Sequence, residues 1–594
     1  MADQEKSNEP SKQTEEPSAD MPLPKPVKEP KKASSEGQKG WGARWQHFKG
    51  WYVSHKKLSI PASVVALLLL LLVIPFTRYP VLGTVVKKDF IVWVIDSNSR
   101  NPVSGATVSY GGTSAVTNGD GQARMHLSVG PRKVTIEKKY YQSAAATVNV
   151  PIFGLKSSPA ITFNATGRQV KVSVSDKISK KPLENVDIKV LDITAKTDKK
   201  GKALLVLPTG AVDHKGTLSL DGYNPADVII KVSDTTVAEN NLSITSSGKI
   251  YFLSKLSGKI DVVKTDLDGQ NRQTVLAGTG KEDDQNTVLL ASRDWKYLAL
   301  LSRRDSSLAK LYIIDTSNDT TKAFDEGNAN FNPIGWYDDY FVYTVDRISV
   351  PAWQPKNASI KSYNAQSGQI IVLDSTDATG SSNFDAEYES ILNTNLLADT
   401  LVYTKTWYKY PGYLQVSGQQ NSLSSIKPDG SGKKVIKSAD SATSYFNTSP
   451  HSPSSLYVSL ANSGNNQTTY YDLTAGGSLN QKSDLNSDSF FKSYPTYLLS
   501  PSDKLTFWSE PRDGKNSLFV GDASGSAGKQ AGTLSDYQTY GWYSDSYLLV
   551  SKKGSELYIF GADGISKDAD ALKVTDYHKP VIDFPGYGGG YGGI

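Results

Sequence analysis

The stretch Gly335-Trp-Tyr-Asp-Asp-Tyr-Phe-Val-Tyr-Thr344 recurs two hundred residues later as Gly541-Trp-Tyr-Ser-Asp-Ser-Tyr-Leu-Leu-Val550. Each copy is Gly-Trp-Tyr, a turn containing Asp, and then an apolar run of strand-forming residues. The run that closes this phrase has relatives along the whole second half of the chain. They are IYFLS from 250, YLALLS from 297, YFVYTV from 340, LVYTKT from 401, LYVSLA from 456, LTFWSE from 505 and YLLVSK from 547, with spacings of 47, 43, 61, 55, 49 and 42 residues. Most runs precede a polar turn and a second strand such as KLYIIDTSN or ELYIFGADG. Some repeats close with a polar hairpin and an outer strand, as in DLDGQNRQTVL (266–276) and KPDGSGKKVI (427–436). A single small sheet cannot bury both of its faces. Sheets stacked radially can, and they leave only short edges. A period of about 40–50 residues with about four strands per unit marks a β-propeller. Seven blades are expected over residues 245–576, with the two Gly-Trp-Tyr phrases at equivalent positions four blades apart. In this reading Gly sets the turn, Trp and Tyr pack between blades, and Asp caps the turn.

The units 292–318 and 500–525 resemble the propeller repeats of the TolB family, of the WD40-like PD40 type, which also occur in prolyl-oligopeptidase-type enzymes. The resemblance covers about residues 245–576. It implies a fold and leaves function open, because propellers host many activities.

A second duplication precedes the propeller. VWVIDSNSRNPVSGATVSYGGTSAVTNGDGQ (92–122) and VSVSDKISKKPLENVDIKVLDITAKTDKKGK (172–202) align without a gap at an offset of 80 residues. Asp96 maps to Asp176, Pro102 to Pro182, Thr117 to Thr197 and Gly121 to Gly201. Short alternating strands at this spacing, joined by turn residues, predict two antiparallel sandwiches over 84–165 and 167–236. The segments resemble carboxypeptidase regulatory-like domains, a transthyretin- or immunoglobulin-like sandwich. That resemblance implies a rigid spacer or an adhesive accessory. Asn-Gly-Asp-Gly-Gln at 118–122 lacks the acidic spacing of a calcium loop and reads as a tight turn.

Residues 1–40 hold six prolines and no aromatic residue, which predicts a disordered cytoplasmic tail. Residues 41–57 place Trp41, Trp45, Phe48 and Tyr52 on one helical face, with Trp51 and several cations alongside. This fits an interfacial segment whose rings sit at headgroup level, and equally the flank of a spanning helix. Leu58–Thr77 carries no charge and reads as a single N-terminal transmembrane helix of the signal-anchor kind, with a cleaved signal peptide as its rival. Five Lys and Arg precede the span within twenty residues and three follow it. That bias puts the N-terminus in the cytoplasm, residues 78–594 outside a plasma membrane, and a lipid bilayer among the partners. Residues 577–594 read as a flexible Gly/Tyr-rich tail. The expected fold class is thus mainly β: one transmembrane helix, two β-sandwich modules and a C-terminal seven-bladed propeller.

The chemistry is sparse. The chain has no cysteine, which removes disulfides, thiolate catalysis and Cys-ligated metals. Its six histidines stand at no metal-ligand spacing, so neither a metal nor a cofactor is expected. A net charge of +5 on 594 residues gives no field for nucleic acid. No Gly-x-Ser-x-Gly elbow occurs, the Gly-rich stretches at 278–282 and 430–434 lack the phosphate-loop pattern, and no catalytic residue is assigned. The adjacent acids Asp283 and Asp284, and Asp338 and Asp339, read as solvated turns whose side chains point apart. The two longest spacings hold insertions rich in aromatics and cations: RISVPAWQPKN (347–357) and TKTWYKYPGY (404–413). Arg347, Trp353, Lys405, Trp407, Tyr408, Lys409, Tyr410 and Tyr413 form the candidate ligand-binding patch on loops of one propeller face. The resulting expectation is a membrane-anchored surface protein presenting a propeller to an extracellular protein or polysaccharide. A propeller-type glycosidase or lyase is the alternative, and would need ionisable groups converging on the central channel. A surface receptor is the third reading.

Overall fold

The computed structural model describes residues 41–73, 83 and 86–578, apart from 155, 211, 233–238, 348–357, 377, 380–384, 412–416, 440, 442, 493, 496, 513, 527, 533–536 and 564–570. The chain divides into two units, residues 1–85 and 86–594.

The first unit holds two helices, α1 (Trp41–Ser54) and α2 (Lys56–Val73). On α1 the rings of Trp45 and Phe48 lie 6.1 Å apart and those of Phe48 and Tyr52 6.2 Å apart, so the expected aromatic face exists. Trp45, Phe48 and Trp51 are all exposed; the side chain of Trp41 lies outside the described residues. The transmembrane helix expected over 58–77 is corrected. Among the described residues no helix is long and apolar enough to cross a membrane. The helix α2 begins with Lys56-Lys57 and carries Pro61 inside it; its described charge-free part is Leu58 to Val73. Residues 74–77 of the expected span lie outside the described residues. The cytoplasmic and extracytoplasmic assignments rested on that span and lose its support.

The second unit begins with the duplicated sandwich. In the first copy, β1 (Lys87–Asp96) lies between β4 (Gln122–Ser128) and β7 (Ser157–Phe163). The facing sheet is ordered β3 (Thr113–Val116), β2 (Thr107–Tyr110), β5 (Gly130–Glu137) and β6 (Ala144–Val150). The second copy repeats this strand for strand. Its β8 (Arg168–Asp176) lies between β11 (Lys202–Leu207) and β14 (Glu239–Ile244). Its facing sheet runs β10 (Ile193–Lys196), β9 (Asp187–Val190), β12 (His214–Ser219) and β13 (Ala226–Ile230). In both copies the last strand pairs in parallel with the first.

The residues matched at an offset of 80 perform the same tasks. Phe90, Val92 and Val94 alternate inward on β1, as Val170, Val172 and Val174 do on β8. Thr117 Oγ1 donates to Val103 O at 2.6 Å and accepts from Ala106 N at 2.9 Å; Thr197 Oγ1 does the same with Leu183 O and Val186 N at 2.6 and 2.9 Å. Gly121 and Gly201 have φ of +73° and +71°, and a Cβ on either would fall within 2.5 Å of a carbonyl oxygen of the first strand. Only glycine fits there.

Seven sheets follow, spanning 249–276, 288–325, 329–375, 378–438, 444–481, 498–532 and 537–576, here blades I to VII. In blades II, III, V, VI and VII the apolar runs read from sequence are the second strands; in blade IV a two-residue strand, Ala378–Thr379, precedes the counterpart of the first strand, Asp385–Leu397, so the run lies third. Blade I has three strands among the described residues and begins with its run, Lys249–Ser254. The preceding segment, β14, is already paired within the sandwich, and the backbone N–H of His578, beyond blade VII, donates to Leu253 O of this strand at 2.8 Å.

The repeated phrase is the device that joins blades. Trp336 Nε1 donates to Leu290 O on the first strand of blade II at 3.1 Å, and Trp542 Nε1 to Leu498 O on the first strand of blade VI at 2.7 Å. Each indole thus ties its blade to the one before. Gly335 and Gly541 lie at register shifts of the first strand, not in its turn. The expectation that glycine sets the turn is corrected: the bulge is what swings the indole toward the neighbouring blade. The left-handed turn position is filled by Asp338, with φ +46°.

The ring closes across blade I. Trp295, in the first turn of blade II, donates from Nε1 to Trp542 O in blade VII at 2.9 Å and packs on Tyr543 at 5.7 Å. On the rim, Arg272 Nη1 of blade I donates to Thr575 Oγ1 of blade VII at 2.8 Å. One buried core then runs through blades II, I and VII, and Ile178 of the second sandwich belongs to it.

Candidate functional site

The sandwiches and the propeller meet through the duplicated aspartate. Asp96 and Asp176 each end an inward-facing row and are buried, an expensive place for a carboxylate unless its oxygens are bonded. Asp96 accepts from Asn98 N and Ser99 N of its own turn, and from Gln169 Nε2 of the next sandwich at 2.7 Å. Asp176 accepts from Ile178 N and Ser179 N, and then from Ser246 Oγ at 3.2 Å and Tyr547 OH of blade VII at 3.0 Å. Lys177 adds an ion pair to Asp268 of blade I at 2.7 Å, and Lys181 one to Asp563 of blade VII. One residue type, duplicated, therefore fastens each domain to the next.

These contacts fall at second-strand starts and third-to-fourth turns of blades I and VII. In an antiparallel blade those points lie on one face of the wheel. First-strand starts and second-strand ends lie on the other face, and a pocket opens there between blades II and III.

The pocket encloses about 290 Å³. Its apolar floor includes Leu301, Leu308 and Phe331; its polar wall is Gln285, Asn286, Arg303, Asn330, Asn332 and Asp346. The sequence places each residue through local structure. Asp283 accepts from the backbone N–H of Gln285 and Asn286 at 2.9 and 2.8 Å, fixing the turn that presents them. Asn330 and Asn332 alternate outward on the first strand of blade III, whose neighbours Ala329 and Phe331 point into the core. Asn332 Nδ2 donates to Asp346 Oδ2 at 3.2 Å and to Thr344 Oγ1 at 3.3 Å. Arg303 Nη1 reaches Asp283 at 3.4 Å, while its buried Nε has no hydrogen-bond partner among the described residues. A guanidinium N–H, amide groups and a carboxylate thus converge over an apolar floor.

The first strands near the axis continue this neutral polar character. Their solvent-reaching positions include Asn393 and Asn395 in blade IV, Tyr445 and Asn447 in blade V, and Gln538 and Thr539 in blade VII. Asn393 Nδ2 donates to Phe446 O at 3.2 Å and Asn395 Nδ2 to Thr448 Oγ1 at 2.8 Å, so amides also stitch blade IV to blade V. Among the described residues no group of three His, Asp or Glu is arranged to hold a metal ion. Asp283 and Asp284 diverge. Asp283 caps its turn, whereas Asp284 binds Lys255 and His578 Nε2, contacts that hold its carboxyl below the usual carboxylate range.

The aromatic patch expected from sequence is only partly within the described residues. Trp353 and Tyr413 lie outside them, and for Arg347, Tyr408, Lys409 and Tyr410 the strand backbone is described but the side chains are not. The stretch from 404 is strand instead of loop: Asp385–Leu397 and Thr400–Pro411 form a hairpin, with Glu389 opposite Trp407 and Glu387 opposite Lys409. Trp407 is half-buried on it. Lys405 enters an ionic cluster, 3.0 Å from Glu389 and 3.4 Å from the buried Asp374. Asp374 also accepts from Tyr403 OH at 2.5 Å and pairs with Lys433 at 3.0 Å. Tyr343 OH makes the same bond to Asp325 at 2.7 Å one blade earlier, so this cluster is an elaborated blade joint. The other insertion leads straight to the pocket, because Asp346 is the residue before Arg347. Sequence reasoning found that insertion and missed the residues beside it; the Asn-x-Asn alternation at 330–332 was the available signal.

No protein-family model and no curated protein sequence matches the chain. Similar solved structures include oligogalacturonate lyase from Vibrio parahaemolyticus, at 10% identity, covering 50% of this chain and 76% of that one with a TM-score of 0.28. TolB from Acinetobacter baumannii is similar at 12% identity, over 53% of this chain and 74% of its own, with a TM-score of 0.24. An acylaminoacyl peptidase from Pyrococcus horikoshii is similar at 13% identity, over 55% of this chain and only 53% of its own, with a TM-score of 0.31. The propeller assignment stands on the sheet order and the bonds between blades.

Proposed function

We propose that the protein is a binding and scaffold protein whose propeller recognises a hydroxyl-rich saccharide polymer at the pocket between blades II and III. The observation that carries this reading is the composition of the pocket wall. Amides, one guanidinium and one carboxylate offer donors and acceptors together, which is what a run of sugar hydroxyls needs. The apolar floor suits the C–H face of a sugar ring. Position supports the same reading. The arm of two sandwiches is fastened to the opposite face of the wheel, through Asp176, Ser246, Tyr547 and the Lys177–Asp268 pair. Recognition by such a preorganised wall loses little ordering entropy.

Titrating the full chain with a panel of soluble neutral and acidic polysaccharides by calorimetry tests the reading. Asn332→Ala and Arg303→Ala should each weaken the bound member about tenfold, the consequence of losing one or two buried polar contacts. Ser524→Ala, on a turn of the other face, should leave it unchanged. Absence of binding across the panel, or equal affinity in all three variants, would remove the proposal. Release of shortened chains would replace binding with depolymerisation as the activity.

A further inference from the structure

The two sandwiches enclose a groove of about 600 Å³ between them. One wall is the first sandwich's Asn101-Pro102 edge and its Gly119-Asp120 turn; the other is β8, β11 and the turn joining β10 to β11. The walls are held together. Lys196 N donates to Ser104 Oγ at 3.0 Å, and Gly119 approaches so closely that a Cβ there would lie 2.2 Å from Thr197 O.

Five lysines line this groove: Lys171, Lys196, Lys199, Lys200 and Lys202. Lys196 is paired with Asp187 at 2.8 Å and Lys202 with Glu239 at 3.3 Å. Asp198 is occupied by its own turn, accepting from Lys200 N and Lys202 N at 2.9 and 2.8 Å. The ammonium groups of Lys171, Lys199 and Lys200 have no partner among the described residues, and all three side chains are exposed. The duplication shows that the fold does not require them. At the matching positions of the first sandwich stand Ile91, Gly119 and Asp120, and Gln122 replaces Lys202. The turn itself is unchanged: Asn118 Oδ1 accepts from Asp120 N and Gln122 N just as Asp198 Oδ1 does from Lys200 N and Lys202 N. The second copy has the same turn geometry and carries three lysines in the groove at positions that are uncharged or acidic in the first copy.

We infer that this groove is a second binding site, for an anionic polymer bearing phosphate or carboxylate groups. Unpaired like charges within one concavity repel one another in the free protein. Low-dielectric walls concentrate their field, and a polyanion threading the groove relieves the repulsion and releases its own counterions. Lysine is a point-charge donor that accepts either phosphate or carboxylate, so the two are distinguished by the probe.

The test uses the full chain and three labelled probes, polyphosphate, polygalacturonate and double-stranded DNA, with affinity followed from low to high salt. Polyphosphate or polygalacturonate should bind at low salt and weaken as salt rises. The triple variant Lys171→Gln, Lys199→Gln, Lys200→Gln should lose about tenfold or more in affinity and flatten the salt dependence by about two to three in log–log slope. Its thermal unfolding should match the parent's, because none of the three side chains makes an intramolecular bond. Asn332→Ala should leave the polyanion affinity unchanged, which separates this site from the propeller pocket. Absence of binding to both polymers at low salt, unchanged binding by the triple variant, or stronger binding to DNA than to either would overturn the inference.

Discussion

Trp295→Phe probes the closure of the wheel. In the parent, the indole of Trp295 is buried, donates to Trp542 O across blade I, and lies against Tyr543. Phenylalanine keeps an aromatic ring but removes the donor and part of the volume. The lost hydrogen bond is worth about 0.5–1.5 kcal/mol, and a carbonyl left buried without it about 1–3 kcal/mol. The missing ring atoms leave a small cavity worth about 1 kcal/mol. These contributions overlap, so the expected loss is roughly 2–4 kcal/mol. Trp336→Phe removes an equivalent bond, to Leu290 O, and should cost a similar amount. The two variants differ in where the damage appears. In amide exchange followed by mass spectrometry, Trp295→Phe should speed exchange in Lys249–Ser254 of blade I and Tyr547–Lys552 of blade VII. Trp336→Phe should do so in blades II and III. A loss below about 1 kcal/mol in urea unfolding, the low end for leaving a buried carbonyl unpaired, would refute the argument that Trp295 ties blade II to blade VII across blade I. So would exchange that is unchanged in blades I and VII.

Three further outcomes follow from buried polar joints. Asp176→Ala leaves two turn N–H groups, Ser246 Oγ and Tyr547 OH without their acceptor; it should cost about 2–4 kcal/mol and broaden the small-angle scattering profile as the arm swings free. Gly248→Ala should be comparably damaging in thermal unfolding, because φ is +144° and the new Cβ would lie 1.9 Å from the hydroxyl of Tyr543; pairing it with Tyr543→Ala should recover part of the loss. Burial raises the carboxyl pKa of Asp374, but the Tyr403 bond and the ammonium groups of Lys433 and Lys405 outweigh it and hold the folded pKa below the ordinary carboxylate value. The folded state therefore gains stability from this group above the ordinary pKa of about 4 and loses it as pH falls through the depressed value. Asp374→Asn should lower stability at neutral pH by about 1–3 kcal/mol and make the acid limb of a stability–pH curve shallower.

Much of the fold was legible because its signals are local. Each of the seven apolar runs became a central or inner blade strand, since a strand buried on both faces must be apolar along its length. The sandwich duplication was legible for a different reason: Asp, Thr and Gly at fixed offsets each do a job that few other residues can do. What failed depended on partners far along the chain. The segment before blade I is taken by β8 as β14, and nothing within 239–248 records that competition; blade I is met instead by the chain beyond blade VII, where His578 N donates to Leu253 O. Gly335 suggested a turn because glycine usually marks one; the register shift that uses it appears only against the second strand of the same blade. The stretch from 404 does alternate, with Lys405, Trp407 and Lys409 opposite Thr404, Thr406 and Tyr408, a strand signal outweighed by its length beyond the mean blade. The pocket was invisible because it combines blades II and III, although one of its acids, Asp346, adjoins the insertion that had been noticed. Leu58–Thr77 was judged by composition, whereas among the described residues no helix is long and apolar enough to cross a membrane.

The most direct test of the closed wheel joins its two ends. The chain has no cysteine, so Arg272→Cys with Thr575→Cys introduces two thiols into a silent background, one on blade I and one on blade VII. A short bis-maleimide should link them within a single molecule in nearly all of the native protein, and this link should hold the two fragments together after proteolysis between them. Linking only between molecules, or two thiols that modify independently at full reagent, would contradict a ring in which the first and last blades are neighbours.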